Sequence, residues 1–354
     1  MMKCITLGLQ NLLQRIVPQV DLAPLAGKQT GKLRLSPIQL LMAIQAERLA
    51  DWALFMAHRL RPLALPRAPG GRPQQYRDRS ILLMALVQIV WRKSYDQIVD
   101  YVATHPDLAL ALGFTQGSIC KGRYWERRSA LGLLPFLFFF LGLVGQLIRL
   151  GVITGQALIV DSTLLAAWYQ ADPGASWQRY AGKKAVFGYK VHAVLCQAST
   201  LPVFVLVTPA HVHDSLVGWF IVLVAAILYG FRVLVVYADA GYFDRRFFRV
   251  VQEILRAHPA VDYNLRRAGK RKLATLFFLE QWRRLVIIPR SDIERHFAWM
   301  KRYFGLKYFQ CYSWMRVTQC VLLTYSAALA VALAAQRYQR PELIRRRAMV
   351  LAQM

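Results

Sequence analysis

Acidic residues are scarce. Only 19 Asp and Glu stand against 46 Lys and Arg in 354 residues, a formal net charge of +27. Such a balance excludes a polycationic partner. It favours a polyanion, nucleic acid first and an anionic membrane second. Cysteine is also sparse: Cys4, Cys120, Cys196, Cys311 and Cys320 are scattered, with no CxxC pair. That excludes the usual zinc spacings and a disulfide framework, and predicts small buried thiols in a reducing cytoplasm. A clean secretory signal is missing, because Asn11, Gln14 and Arg15 break the apolar start. There is no internal repeat.

Uninterrupted membrane-length runs are lacking too, although the mean hydropathy is +0.29. Residues 131–148 are broken by Pro135, Gly142, Gly145 and Gln146, with Arg127, Arg128 and Arg149 on both flanks. Residues 217–231 are short for a span, and residues 317–335 carry Thr318, Gln319, Thr324 and Ser326. Buried helices are therefore expected, with no membrane partner. A membrane protein with basic loops is the alternative.

Four regions follow from composition and periodicity. Residues 1–75 predict a helical N-terminal segment ending in a Pro, Gly and Arg-rich stretch over 61–75, either a connector or a basic arm on DNA phosphates. Residues 76–151 predict short helices, one capped by Ser118 and carrying Lys121, Arg123, Arg127 and Arg128. That segment is a candidate DNA-binding domain of helix-turn-helix kind, or a helical domain that only packs. Residues 152–340 predict an α/β domain. Residues 341–354, with Arg345–Arg347, predict a solvated or DNA-facing basic tail.

Within the α/β region, runs at 157–165, 186–196 and 202–208 predict an antiparallel three-strand meander. A helix over 214–229, capped by Asp214 or Ser215, should follow, then a strand over 233–238 buried on both faces. A helix over 244–257, a strand over 261–265, and helices over 291–304 and 317–335 complete the order. That order is the one expected of a ribonuclease-H-like core, a mixed sheet with flanking helices.

Against so basic a background, three carboxylates are conspicuous. Asp161 closes the apolar run Ala157-Leu158-Ile159-Val160, and Asp239 closes a second one ahead of Gly241. A carboxylate in that setting is either a turn or capping residue, or needs a cation. In open α/β sheets, sites gather at strand ends, so two such acids suggest a shared site. Glu294 stands in Ser291-Asp292-Ile293-Glu294, which reads as a capping box with Ser291 at the N-cap. Arg290 precedes it by four residues, and Lys301 lies two helical turns further on the same face. Carboxylates of this kind hold Mg2+, and paired ions serve in-line displacement at phosphorus.

At these residues the chain resembles the DDE transposases of bacterial insertion sequences that bear a Tyr-x2-Arg-x3-Glu-x6-Lys signature. Arg290, Glu294 and Lys301 match its last three positions, and Ile287 stands where the Tyr is expected. Gly188-Tyr189-Lys190-Val191-His192, His211-Val212-His213-Asp214-Ser215 and Ala238-Asp239-Ala240-Gly241-Tyr242 are similar to the family as well. The resemblance covers residues 76–335.

It implies Asp161, Asp239 and Glu294 as catalytic and metal-binding residues, with Mg2+ or Mn2+, two ions, as cofactor. It implies cleavage and strand transfer of double-stranded DNA at terminal inverted repeats and target, a homodimer on DNA, and a cytoplasmic, nucleoid-associated location. The short interval between Asp239 and Glu294 leaves no room for a large β insertion. Arg290, Lys301, Lys190, Lys183 and Lys184 are the expected phosphate contacts, the loop lysines being equally readable as solvated. His192 and His211 read as structural, or as residues that orient the ligands of the site. Trp177 and Tyr180 read as core, or as a stacking platform for an unpaired base. A non-catalytic DNA-binding protein derived from a transposase is the competing class.

Overall fold

The computed structural model describes residues 17–21, 23–25, 31–60, 75–115, 117–179, 184–261, 290–307 and 309–352. Lys183, Ile287, Tyr180 and the stretch at 61–74 lie outside them, as does most of the strand expected over 261–265. The chain divides into two compact units, taken in turn.

One unit comprises Val17–Gln146, Tyr303–Gly305 and Thr318–Met354. Its described helices begin with α1 (Pro37–Ala43), where Ser36 and Gln39 form a capping box and Pro37 opens the helix. Then come α2 (Ala46–Leu60), α3 (Asp78–Val90), α4 (Tyr95–Thr104), α5 (Pro106–Ala111), α6 (Lys121–Ala130) and α7 (Leu134–Arg149). Residues 80–88 of α3 are all buried, as an all-round apolar helix requires.

Three expectations change in this unit. Cys120, not Ser118, is the residue before α6, and it makes no side-chain cap bond. Arg127 pairs with Asp78, and Arg128 is buried, donating to Gln88 Oε1 at 2.8 Å and Cys320 Sγ at 3.3 Å. Only Lys121 and Arg123 of that basic set stay exposed. The C-terminal residues are not a free tail. Leu33 and Leu35 donate to Met349 O and Val350 O, each at 2.7 Å, and the Arg347 guanidinium holds Val90 O.

The other unit comprises Met1–Ile16, Leu147–Arg302 and Leu306–Val317. Its described residues form a curled mixed sheet: β1 (Ala157–Ala166), β2 (Ser176–Gln178), β3 (Val186–Cys196) and β4 (Leu201–Pro209). β3 runs antiparallel to β1, β2 and β4, so the meander is present, with the short β2 added. Next is α8 (Asp214–Tyr229). His213, rather than Asp214 or Ser215, caps it, with Nδ1 accepting the Ser215 amide at 3.2 Å. Gly230, at φ 63°, ends it in the left-handed conformation that glycine adopts without penalty.

β5 (Val235–Ala238) returns parallel to β1, and β6 (His258–Val261) parallel to β5. Between them lie α9 (Arg245–Arg249) and a π-turn over Val250–Ile254, where one helix was expected. β5 alternates half-buried and buried positions instead of burying both faces. A helix over residues 290–303, α10, already includes Arg290, so Ser291 lies inside it and is not an N-cap.

The last long helix, α11 (Trp314–Arg337), crosses from one unit's residues into the other's. It is long and apolar enough to span a membrane, but its apolar window is wholly buried, as in a core helix. α6 and α7 pass the same test only as a pair bent by 78°.

Candidate active site

Two of the three carboxylates come together because β1 and β5 are parallel neighbours inside the sheet. Their last paired residues are Val160 and Ala238. The chain therefore sets Asp161, midway along β1, beside Asp239, which follows the last residue of β5. Asp161 Oδ1 accepts the Ser162 amide at 2.8 Å. Asp239 caps the 3-10 turn Ala240–Tyr242, its Oδ1 accepting the Ala240 amide at 2.6 Å.

α10 brings the third acid through one cation. Arg290 reaches Asp239 Oδ1 at 3.1 Å with one terminal nitrogen and Glu294 Oε1 at 2.9 Å with the other. A planar guanidinium suits such a two-handed bridge. Seven residues beyond Glu294, Lys301 donates to Thr163 Oγ1 on β1 at 2.7 Å. Thr163 shares the Asp161 face of β1, since alternate strand residues point the same way. Arg290, Glu294 and Lys301 thus come from one helix face to the stretch of β1 that carries Asp161 and Thr163.

Electrostatics follow from this packing. Burial pushes the Asp161 carboxyl up to about 7, the Asp239 charge adding to the rise while the Ser162 amide and Arg290 oppose it. Burial pulls Arg290 down, but Asp239 and Asp161 outweigh that and leave its pKa raised. Burial also lowers the Lys301 ammonium. The corner holds excess negative charge that one protonated carboxyl or a bound cation relieves.

A family model described as the transposase DDE domain matches residues 154–330, half of the chain. The chain belongs to that family. It is a DDE transposase of the insertion-sequence kind, and the matched stretch spans the whole sheet and its acids. Comparisons with curated proteins and with solved structures find no match.

The remaining expected residues of the transposase fall in different places. Lys184 is exposed. Lys190 is not available to a phosphate: it is 2% exposed, donates to Val212 O at 2.8 Å and faces Asp214 Oδ1 at 3.3 Å. Its place on β3, covered on both faces, turns the ammonium inward. His192 is buried, with Nε2 2.9 Å from Thr208 Oγ1, and burial lowers its pKa to about 4. His211 is exposed and holds Ser176 Oγ through Nδ1 at 2.8 Å. Trp177 is 60% exposed rather than core.

Sequence reasoning missed Asp214, Ser162, Thr163 and Tyr242. Asp214 was read as a possible cap and as part of the family-like run His211–Ser215, with no partner assigned, yet it accepts from Ser162 Oγ at 2.8 Å directly behind Asp161. The available signal was an acid opening a helix whose next charged residue is Arg232.

The donor set suits a hard divalent cation, because all three candidate ligands are carboxylates. Among the described residues, no three His, Cys, Asp or Glu side chains stand close enough to enclose one ion. The Arg290 guanidinium bridges two of the acids, Asp239 and Glu294.

Proposed function

We propose that this transposase binds the terminal inverted repeats of its element and carries out metal-dependent strand cleavage and strand transfer. The observation that carries the reading is the placement of Asp161 on β1 beside Asp239 at the end of the parallel neighbour β5, with Arg290 linking Asp239 to Glu294. The pairing of β4 with β3, β3 with β1, β1 with β5 and β5 with β6 supports a ribonuclease-H-like core. The charge of +27 supports double-stranded DNA as the partner. The protein acts in the cytoplasm at the nucleoid, as a homodimer on DNA.

Asp161, Asp239 and Glu294 would hold Mg2+ or Mn2+. Bound there, the ions supply Lewis-acid stabilisation of the attacking and leaving oxygens in an in-line displacement. The chain's own residues do the rest. Asp161 and Asp239 gather negative charge at the scissile position. Arg290 keeps Glu294 directed at that corner until DNA enters, and offers a planar donor pair to a phosphate. Lys301, anchored on Thr163, places a cation two turns away along the strand. Exposed Lys184, with Lys183, meets phosphates further out.

The test is a labelled duplex carrying the ends of the element, incubated with the full chain and Mg2+ or Mn2+. Cleavage at the repeat boundary that stops on chelation supports the reading. Salt-sensitive binding without any cleavage would instead assign the chain to the non-catalytic DNA-binding class.

A further inference from the structure

We propose that Asp214 is a positioning residue that fixes the separation of Asp161 and Asp239 by tying β1, which carries Asp161, to the helix that also seats the Asp239 turn. The inference rests on the metal site assigned under Proposed function and names what aligns it. Asp214 opens α8, on the opposite side of β1 from Asp161. Ser162, which alternates with Asp161, donates its hydroxyl to Asp214 Oδ1 at 2.8 Å. His192 is the register partner of Ser162 on β3, so it shares that face, and its Nδ1 lies 3.6 Å from the same oxygen. Lys190, two residues earlier on β3, brings its ammonium to 3.3 Å.

This cluster binds strand to helix. Lys190 and His192 are 2% and 0% exposed, and Lys190 also donates to Val212 O just before α8. A carboxylate so placed needs a buried counter-charge, and Lys190 supplies it. The cation read as a phosphate contact instead pairs with Asp214 behind the acidic corner.

The second segment touches the same helix. Tyr242 follows Asp239 in its 3-10 turn and is fully buried. Its ring lies on the bare backbone of Gly218 in α8, where any Cβ would come within 2.2 Å of the ring. Asp214 Oδ2 would stand only 3.9 Å from a Cβ on Gly241, so nothing separates Asp214 from the turn. α8 therefore holds Ser162 through Asp214 and holds the Asp239 turn through Gly218. Two like charges on neighbouring strands repel. Held from one helix, they keep the spacing that a shared ion requires. Groups that orient metal ligands in this way typically change affinity 10–100-fold when removed.

The experiment is Mn2+ binding to the full-length protein at pH 8 by titration calorimetry, with melting temperatures taken in parallel. Wild type, Ser162→Ala, Ser162→Thr and Asp214→Asn are compared. Ser162→Ala and Asp214→Asn should raise the dissociation constant about tenfold or more, and Ser162→Thr, which keeps the hydroxyl, should bind near wild type. In the cleavage assay the two weakened variants should recover at saturating Mn2+, whereas Asp161→Ala should not. Ser162→Ala removes one oxygen and carries the test if Asp214→Asn fails to fold. Wild-type Mn2+ affinity in Ser162→Ala, or no rescue by Ser162→Thr, overturns the role of Asp214 alone. A wild-type protein that binds no Mn2+ overturns the metal site itself, and this inference with it.

Discussion

Arg290 holds Asp239 at 3.1 Å while its other terminal nitrogen holds Glu294 four residues along its own helix. The acids it bridges are 42% and 60% exposed, so these pairs contribute roughly 0–1 kcal/mol to folding. Arg290→Ala should therefore melt close to wild type. Its cleavage rate should fall about ten- to a hundredfold, the loss expected of one charge-assisted contact to the transition state. Arg290→Lys should recover little, since an ammonium cannot bridge both acids in the plane of a guanidinium. Unchanged single-turnover cleavage in Arg290→Ala would mean that the arginine only occupies the corner.

Lys301 is tied to the strand as well as to the proposed chemistry. Its bond to Thr163 Oγ1 makes a purely exposed role untenable. Lys301→Ala should cost about 1.5–3 kcal/mol of stability, the range for a hydrogen bond to a charged group, and also slow cleavage. Thr163→Val isolates the first effect. It should lower the melting temperature and leave the cleavage rate closer to wild type than Lys301→Ala does. Equal rate losses in the two variants would show that Lys301 serves the fold alone.

Asp161 predicts two opposite pH trends. Its carboxyl is raised from 3.8 to about 7 in the folded chain. Between those values the folded state keeps a proton that the unfolded state has lost, so metal-free stability falls as pH rises from about 4 to about 7 and is level above. A cation competes with that proton. Mn2+ affinity should therefore climb by up to about tenfold per pH unit below 7 and flatten above it. Melting curves and calorimetry from pH 5 to 8 check both trends, with Asp161→Asn as the non-titrating control. Parallel pH profiles for the control and wild type would remove Asp161 as their source.

Lys190 and Lys184 should separate cleanly. Lys190→Met leaves Asp214 without its buried partner and should destabilise by about 3–5 kcal/mol, the loss typical of a broken buried pair. Lys184→Ala should leave the melt unchanged and reduce the salt slope of DNA binding by about one. Lys190→Met folded at wild-type stability would return that lysine to the surface set.

The readable parts of the sequence were those where one local rule decides. The apolar run ending in Asp239 marked the end of β5, whereas Asp161 closes its apolar run midway along β1, which continues to Ala166; helical spacing put Arg290, Glu294 and Lys301 on one face. The meander over β1, β3 and β4 was legible from β-branched runs separated by turn residues. Lys190 was not, because β3 is buried on both faces and alternation then says nothing about which way a long side chain turns. Asp214 was missed because Ser162, Lys190 and His192 reach it only through strand register. Ser291 was taken for a cap because the capping pattern is local, whereas the helix already includes Arg290. The Arg-rich C-terminus looked solvated because Leu33, Leu35 and Val90, which hold it, are far away in sequence.

The central claim is that Asp161, Asp239 and Glu294 form one metal-dependent cleavage site. The most direct measurement is cleavage of a labelled terminal-repeat duplex by Asp161→Ala, Asp239→Ala and Glu294→Ala beside wild type, in Mg2+ and in Mn2+, with DNA binding measured on the same samples. The prediction is that each substitution abolishes cutting in both ions while binding to the repeat stays near wild type. Wild-type cutting by any one variant would contradict the claim and remove that residue from the site.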